Sequence, residues 1–248
     1  MKMINYLIKI EYDGTNFVGW QSQRNGTSVQ DIIEKALKKI LGSKVRIIGA
    51  GRTDKGVHAY EQHANFKTKK KIENKNKFID SLNFFLGKNL ISIIDIKKKN
   101  IEFHARHSAK ERIYEYQIIN RQGSLSINKH KAWHVKKKIN LKLLKKGAKL
   151  FEGIHDFSTY RAAACSAKSP LKKMNFVKIK KINDKIIIRF SSESFLQNQV
   201  RSMVGCLQYL SVGKWSVDRF HKVFKSKKRA ECAPPAPAHG LYLLKVLY

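Results

Sequence analysis

The run GAGRTDKGVHA, Gly49 to Ala59, lies between two strand-like segments, one near Lys44 to Ile48 and one around His63 to Phe66. Three glycines bracket Arg52, Thr53 and Asp54, so the backbone can turn tightly and another molecule can approach without meeting side chains. The run is a sheet connection. No GxGxxG or Walker-type phosphate loop occurs anywhere in the chain, so nucleotide-cofactor chemistry has no support.

Upstream, Tyr6, Ile8, Ile10 and Tyr12 alternate with Lys9 and Glu11, the period-2 pattern of a strand with one buried face, and Asp13-Gly14 follows as a turn. Thr27 and Gln30 are spaced as a capping box for a helix that buries Val29, Ile33, Ala36, Leu37 and Ile40 and stops at Gly42. The segment Lys67 to Lys77 is almost all Lys, Asn and Glu, and reads as an exposed loop or helix edge. Downstream, Tyr114, Tyr116 and Ile118 alternate as a strand, and Asn140 caps a helix running to Leu150. Phe176 to Ile182 and Lys185 to Phe190 form a hairpin around Asn183 and Asp184. A helix then carries Leu196, Val200, Met203, Leu207 and Leu210 up to Gly213, and Ser216 caps a short one burying Phe220, Val223 and Phe224.

Strand, aromatic-bearing loop and amphipathic helix thus occur in that order twice, over Ile8 to Leu41 and Ile186 to Val212. This pseudo-repeat predicts two similar mixed α/β subdomains, residues 1–105 and 106–248, with a cleft between them. Strands separated by polar turns as well as by helices favour an α+β fold over a doubly wound parallel one.

Over 248 residues, 51 Lys plus Arg stand against 18 Asp plus Glu, a formal charge of +33. Such a charge repels itself and attracts polyanions by counterion release, so nucleic acid is the expected partner. Of these cations 40 are Lys, and the chain is also rich in Ile (26) and Asn (15). These are the residues of A- and T-rich codons, so part of the excess reflects genome composition. The 11 Arg carry more information, because each offers a planar fork of donors to phosphates, carboxylates and bases. No uncharged stretch reaches the ~20 residues of a membrane span, and Lys9 interrupts the only candidate signal peptide. A cytoplasmic location is expected. Cys165, Cys206 and Cys232 are spaced neither as a zinc site nor as a disulfide framework, and read as reduced, packed thiols.

Asp54 has two readings. It is either an ordinary turn residue that satisfies local N–H groups, or a carboxylate at the rim of a cleft, kept ionised by a guanidinium and available as nucleophile or base. A second carboxylate at glycosidase spacing is not evident. The stretch FHARHSAKERIYEY, Phe103 to Tyr116, mixes cations such as Arg106 and Arg112 with Tyr114 and Tyr116, a composition suited to stacking bases and holding phosphates. Its bland counterpart is a half-buried strand with core aromatics. The pairs His104/His107 and His58/His63 lack a third ligand at a recognisable spacing, so no metal is expected. Arg201, beside the apolar Val200, either snorkels to solvent or turns inward as a partner for Asp54.

Six segments in register carry a resemblance to a known family: YDGTNFVGWQ from Tyr12, GRTDKGVHA from Gly51, FHARHSAKERIYEY from Phe103, FEGIHDFSTYR from Phe151, FLQNQVRSMVG from Phe195 and APAHGLYL from Ala236. Together they resemble the tRNA pseudouridine synthase A family over nearly the whole length. The resemblance implies the pseudouridine synthase fold, with a central, largely antiparallel sheet and a basic cleft. It implies Asp54 as the catalytic aspartate, Arg201 as its paired cation and Tyr114 as the ring that stacks on the target uracil. It further implies Arg52 as the residue that helps extrude the base, and Leu241 and Leu243 as the apolar wall of the pocket. Arg106, Arg112 and Lys55 are expected to contact RNA. Lys55 stands where many members have Ala, and Gln199 where Met is common.

The reaction so implied isomerises uridine at positions 38, 39 and 40 of the tRNA anticodon stem-loop, in a homodimer with tRNA lying across both subunits. It breaks the uracil N1 to C1′ bond and joins C5 to C1′ without redox change or external donor, so no cofactor is expected. Whether the aspartate attacks C1′, attacks C6 or acts through a glycal stays open at this level. The alternatives are a non-catalytic basic tRNA- or ribosome-associated protein on the same fold, and a synthase acting at another tRNA position.

Overall fold

The computed structural model describes residues 2–248. In chain order the elements are β1 (Ile4–Tyr12), α1 (Val29–Leu41), β2 (Ile48–Gly49), β3 (His58–Thr68), α2 (Lys75–Leu86), β4 (Ile91–Lys99), β5 (Glu111–Asn120), β6 (Trp133–Val135), α3 (Leu141–Lys149), β7 (Gly153–Asp156), β8 (Leu171–Ile182), β9 (Lys185–Ser192), α4 (Gln199–Ser211), α5 (Val217–Ser226) and β10 (Leu241–Leu247). The fold is mixed α/β with mostly antiparallel strand pairing. The chain forms two compact units, Met1–Lys110 with Leu243–Tyr248, and Glu111–Tyr242.

In the first unit the strand order is β4-β1-β3-β10, with β2 on β3. β1 pairs antiparallel with both neighbours, with Tyr12 opposite Ala59 of β3 and Ile91 of β4. The alternation read from sequence puts Tyr6, Ile8, Ile10 and Tyr12 inside. The other face of β1 is not simply solvated. Asn5 Nδ2 donates to the carbonyls of Asn100 and Phe103 at 2.9 Å, while Asn65 Oδ1 accepts from Ala105 N at 2.8 Å, and the two side chains bond each other at 3.0 Å. These amides satisfy the backbone of the 100–105 segment where it crosses the sheet, which is why two polar residues are buried on strands.

α1 buries Val29, Ile33, Ala36 and Leu37 and ends at Gly42, whose φ of 76° is the left-handed cap. Its N-cap is Ser28, one residue after the expected Thr27. Ser28 Oγ accepts from Asp31 N and donates to the Asp31 carboxylate, while Gln30 turns inward to Glu34 and the Ile47 carbonyl. The expected strand over Lys44 to Ile48 shrinks to Ile48–Gly49, and the lysine-rich Lys67 to Lys77 segment turns out to lead into α2, capped by Asn74.

In the second unit the order is β5-β9-β8-β7, all antiparallel, with β6 added parallel to β5. The β8–β9 hairpin turns at Asn183, in the left-handed region at φ 52°. Phe151 packs edge-on against Tyr160 at 5.3 Å and close to Phe220 and Phe224 of α5, forming an aromatic core whose largest members are fully buried. Each such ring contributes roughly 1.5–3 kcal/mol by burial. Gly147 lets α3 close on α4, since an added Cβ would lie 2.7 Å from Leu210 Cδ2. The predicted helix containing Leu196 begins only at Gln199. Asn198 takes φ 62°, and Gln199 Oε1 accepts from Leu196 N at 2.8 Å, making 196–198 a turn.

The two stretches compared in the sequence hold β1 with α1 and β9 with α4. Each strand is the inner member of its own unit's sheet and feeds an aromatic loop and then a helix.

Candidate active site

The Gly49–Val57 connection is held from several sides, all within the first unit. Ala50 N donates to the His63 carbonyl at 2.7 Å, and Gln62 Nε2 to the Gly51 carbonyl at 2.8 Å. Trp20 N donates to the Thr53 carbonyl at 3.0 Å, and a single bridge pairs Gly19 with Asp54. Thr53 is turned inward, its Oγ1 2.7 Å from the Tyr12 hydroxyl in a buried contact. After Asp54 the chain reverses through Gly56 at φ 77°, closed by Val57 N donating to the Asp54 carbonyl at 3.1 Å. Arg52 and Lys55 are exposed on either side, and Asp54 itself is half-buried.

A second set of contacts fixes the far end of this loop. His58 Nδ1 lies 2.9 Å from Asp13 Oδ1, and that same oxygen accepts from Thr15 N and Thr15 Oγ1. Gly14 N also donates to His58 Nδ1, at 3.1 Å. A Cβ on Gly14 would sit 2.0 Å from the Val57 carbonyl oxygen, and one on Gly49 2.4 Å from Trp20 Nε1. The glycines flanking this site therefore permit backbone to lie on backbone and on an indole ring. Residue type and spacing alone do not mark Tyr12, Asp13 or Trp20 as part of this site, and they offer His58 only as a metal ligand beside His63. The available signal was a buried strand ending in Asp-Gly within a segment that also holds a second glycine beside Trp.

In the second unit, Tyr114 lies on β5, 7% exposed, edge-on to Phe195 at 5.1 Å. Tyr116, also on β5, is fully buried and donates to the Pro237 carbonyl at 2.8 Å, with Gly240 pressed against its ring. Burial pushes the Tyr116 phenol well above its ordinary value. Arg201 stands in the first turn of α4. Its Nε donates to the Ala236 carbonyl at 2.8 Å and its guanidinium to Asn198 Oδ1 at 3.1 Å, while Ala236 N donates back to the Arg201 carbonyl at 2.9 Å. The side chain is thus oriented by its own neighbours rather than left to snorkel.

Arg112 is buried, its guanidinium donating to the Glu193 carbonyl, whereas Arg106, in the first unit, is exposed. Leu241 is 5% exposed in the second unit, and Leu243 is fully buried in the first. The histidines considered as ligands are engaged otherwise. His104 Nδ1 accepts from the backbone N–H of Arg106 and His107, and His63 packs edge-on against Tyr248. Among the described residues no three His, Cys, Asp or Glu side chains come together as metal ligands, and no helix is long and apolar enough to cross a membrane.

A family described as tRNA pseudouridine synthase matches residues 8–108 and 148–248, which contain the Asp54 loop, the Arg201 helix and the C-terminal strand. The chain belongs to that family. The synthase is 54% identical over 246 residues to the tRNA pseudouridine synthase A of Pelagibacter ubique, covering 99% of this chain and 100% of that protein. It is 41% identical to the namesake from Thermoanaerobacter sp., with 99% and 100% covered, and 40% identical to that of Maricaulis maris, with 99% and 98% covered. The enzyme is an isomerase that converts uridine to pseudouridine in tRNA.

Proposed function

We propose that this synthase acts on uridines 38, 39 and 40 of the tRNA anticodon stem-loop, in the cytoplasm and as a homodimer, with Asp54 as its nucleophile. The observation that carries the catalytic assignment is the Asp54 loop. Its neighbours are bonded on every side, yet Asp54 remains half-buried between two exposed cations. A rigid support under a reactive carboxylate is what positioning catalysis requires.

In this reading the target uridine leaves its stack at a cost of a few kcal/mol, assisted by Arg52, and the detached uracil is held by Tyr114. Arg201, already oriented by Ala236 and Asn198, is the cation this reading assigns to the aspartate. Leu241 and Leu243 exclude water from the apolar side of the base. The N1 to C1′ bond breaks, the base rotates and C5 bonds to C1′; C5 then loses its hydrogen to water and N1 takes up a proton. Arg106 and Lys55, both exposed, contact phosphates. Arg112 serves instead to hold the Glu193 turn beneath Tyr114.

Asp54→Asn and Asp54→Ala are expected to abolish tritium release from 5-tritiated uridine in tRNA while changing tRNA affinity less than about threefold. Substantial remaining turnover would remove Asp54 from the chemistry, and release from an anticodon arm lacking uridine at 38–40 would refute the positional assignment.

A further inference from the structure

The isomerisation makes no use of a thiol pair that joins α4 to the segment packed over it. Cys206 is fully buried on that helix, with its Sγ 3.4 Å from Sγ of Cys232, which is partly exposed. Cys232 begins a strap, residues 232–237, that lies directly on the helix backbone. Ala236 and Arg201 exchange hydrogen bonds, and a Cβ on Gly205 would fall 2.1 Å from the Pro234 carbonyl oxygen. The two sulfurs therefore bridge helix and strap just beyond the residue whose side chain the strap orients. Arg229, donating to Ser202 Oγ at 3.2 Å, brings a positive charge to the pair. The hydrogen bond from Cys206, together with Arg229, holds the Cys232 thiol below its ordinary value against the effect of burial, whereas that same bond and burial push Cys206 up. One thiol is thus poised to ionise and the other to remain protonated beside it.

We propose that Cys232 and Cys206 form a peroxide-reactive modification site, with Cys232 the attacking thiolate and Cys206 the resolving thiol. The Cys232 thiolate attacks one oxygen of hydrogen peroxide. The O–O bond breaks, hydroxide leaves and is protonated to water, and the sulfur, oxidised by two electrons, becomes a sulfenic acid. Cys206 Sγ then attacks that sulfur and the S–O bond breaks. The oxygen departs as water with the proton from Cys206, leaving the disulfide, so two thiols and one peroxide give one disulfide and two waters. The sulfurs need approach by only about 1.4 Å to reach bonding distance, from the 3.4 Å observed. The bond staples the strap to α4 and spares Cys232 from further, irreversible oxidation. Bond formation does not depend on the reading of Asp54 and Arg201, and the test below uses no activity measurement.

The full chain carrying Cys165→Ser is treated with a small excess of hydrogen peroxide and its intact mass measured. The expected result is a loss of two hydrogens, about 2 Da, reversed by dithiothreitol, with a melting temperature about 5 °C above the reduced form. Adding Cys206→Ser converts the loss into a gain of one or two oxygens mapped to Cys232. Adding Cys232→Ser, at the more exposed position, abolishes the loss. No mass change in the Cys165→Ser protein, net oxygen gain without disulfide, or a 2-Da loss that survives Cys232→Ser would each overturn the proposal.

Discussion

At the scale of single residues, the consequential contacts are those that leave no room. Gly14 faces the Val57 carbonyl so closely that a methyl group would overlap it, and a backbone atom cannot swing aside as a side chain can. Gly14→Ala must therefore displace the loop that ends at Val57 and carries Asp54. Misplacements near 1 Å cost about 100-fold in rate. We expect kcat to fall by that order and stability by ~2 kcal/mol, read by the tritium-release assay and urea unfolding. An active, fully stable Gly14→Ala protein would show that the loop's placement is not critical. His58 acts on the same loop through polar contacts rather than through sterics, its Nδ1 lying against the Asp13 carboxylate and Gly14 N. His58→Ala is expected to lower kcat about tenfold or more with KM for tRNA nearly unchanged, and His58→Asn, whose amide can bond Asp13 or Gly14 N, to recover part of it. Equal losses in both variants, or a change confined to KM, would count against a positioning role.

At the scale of elements, β3 carries most of the first unit's buried polarity. Its His63 is buried, Nδ1 has no hydrogen-bond partner, and burial pushes the imidazole down to about 4, reinforced by Lys9, Lys97 and Lys99 and opposed by Glu61. The unfolded chain protonates it near 6.5. Between those values the unfolded state binds a proton that the folded state refuses. The stability is therefore fully present above about pH 6.5 and is lost as pH falls toward 4, by up to ~3 kcal/mol. The urea midpoint should drop between pH 7 and 4.5 by more in the wild type than in His63→Gln. Parallel pH profiles for the two proteins would show that His63 is not the titrating group.

At the scale of the whole molecule, the charge of +33 makes a prediction that no single lysine can. If the cations neutralise tRNA phosphates, log Kd should rise steeply with log salt, with a slope of at least about 4, since each phosphate contact contributes ~0.7–0.9. A slope below about 1 would mark the lysine excess as compositional drift that the fold merely tolerates.

Alternation over Tyr6 to Tyr12, the apolar spacings of α1, α4 and α5, and the Asn183-Asp184 hairpin were legible in the sequence, because period and turn chemistry are local properties. β4 and β10 were not, and α2 hid in lysine-rich sequence, because their places are decided by partners distant along the chain. Motif residues such as Asp54, Tyr114 and Arg201 could be named from sequence alone, since six segments in register fix the family and so the reaction. Only the tertiary structure decided how Asp54 is supported and that Arg112 is buried. It alone set Asp13 against His58, and Cys206 against Cys232. The reason is the antiparallel pairing of β1 with β3 and the packing of the C-terminal strap on α4. Both bring into contact side chains separated by 26 residues or more, where no local pattern records the meeting.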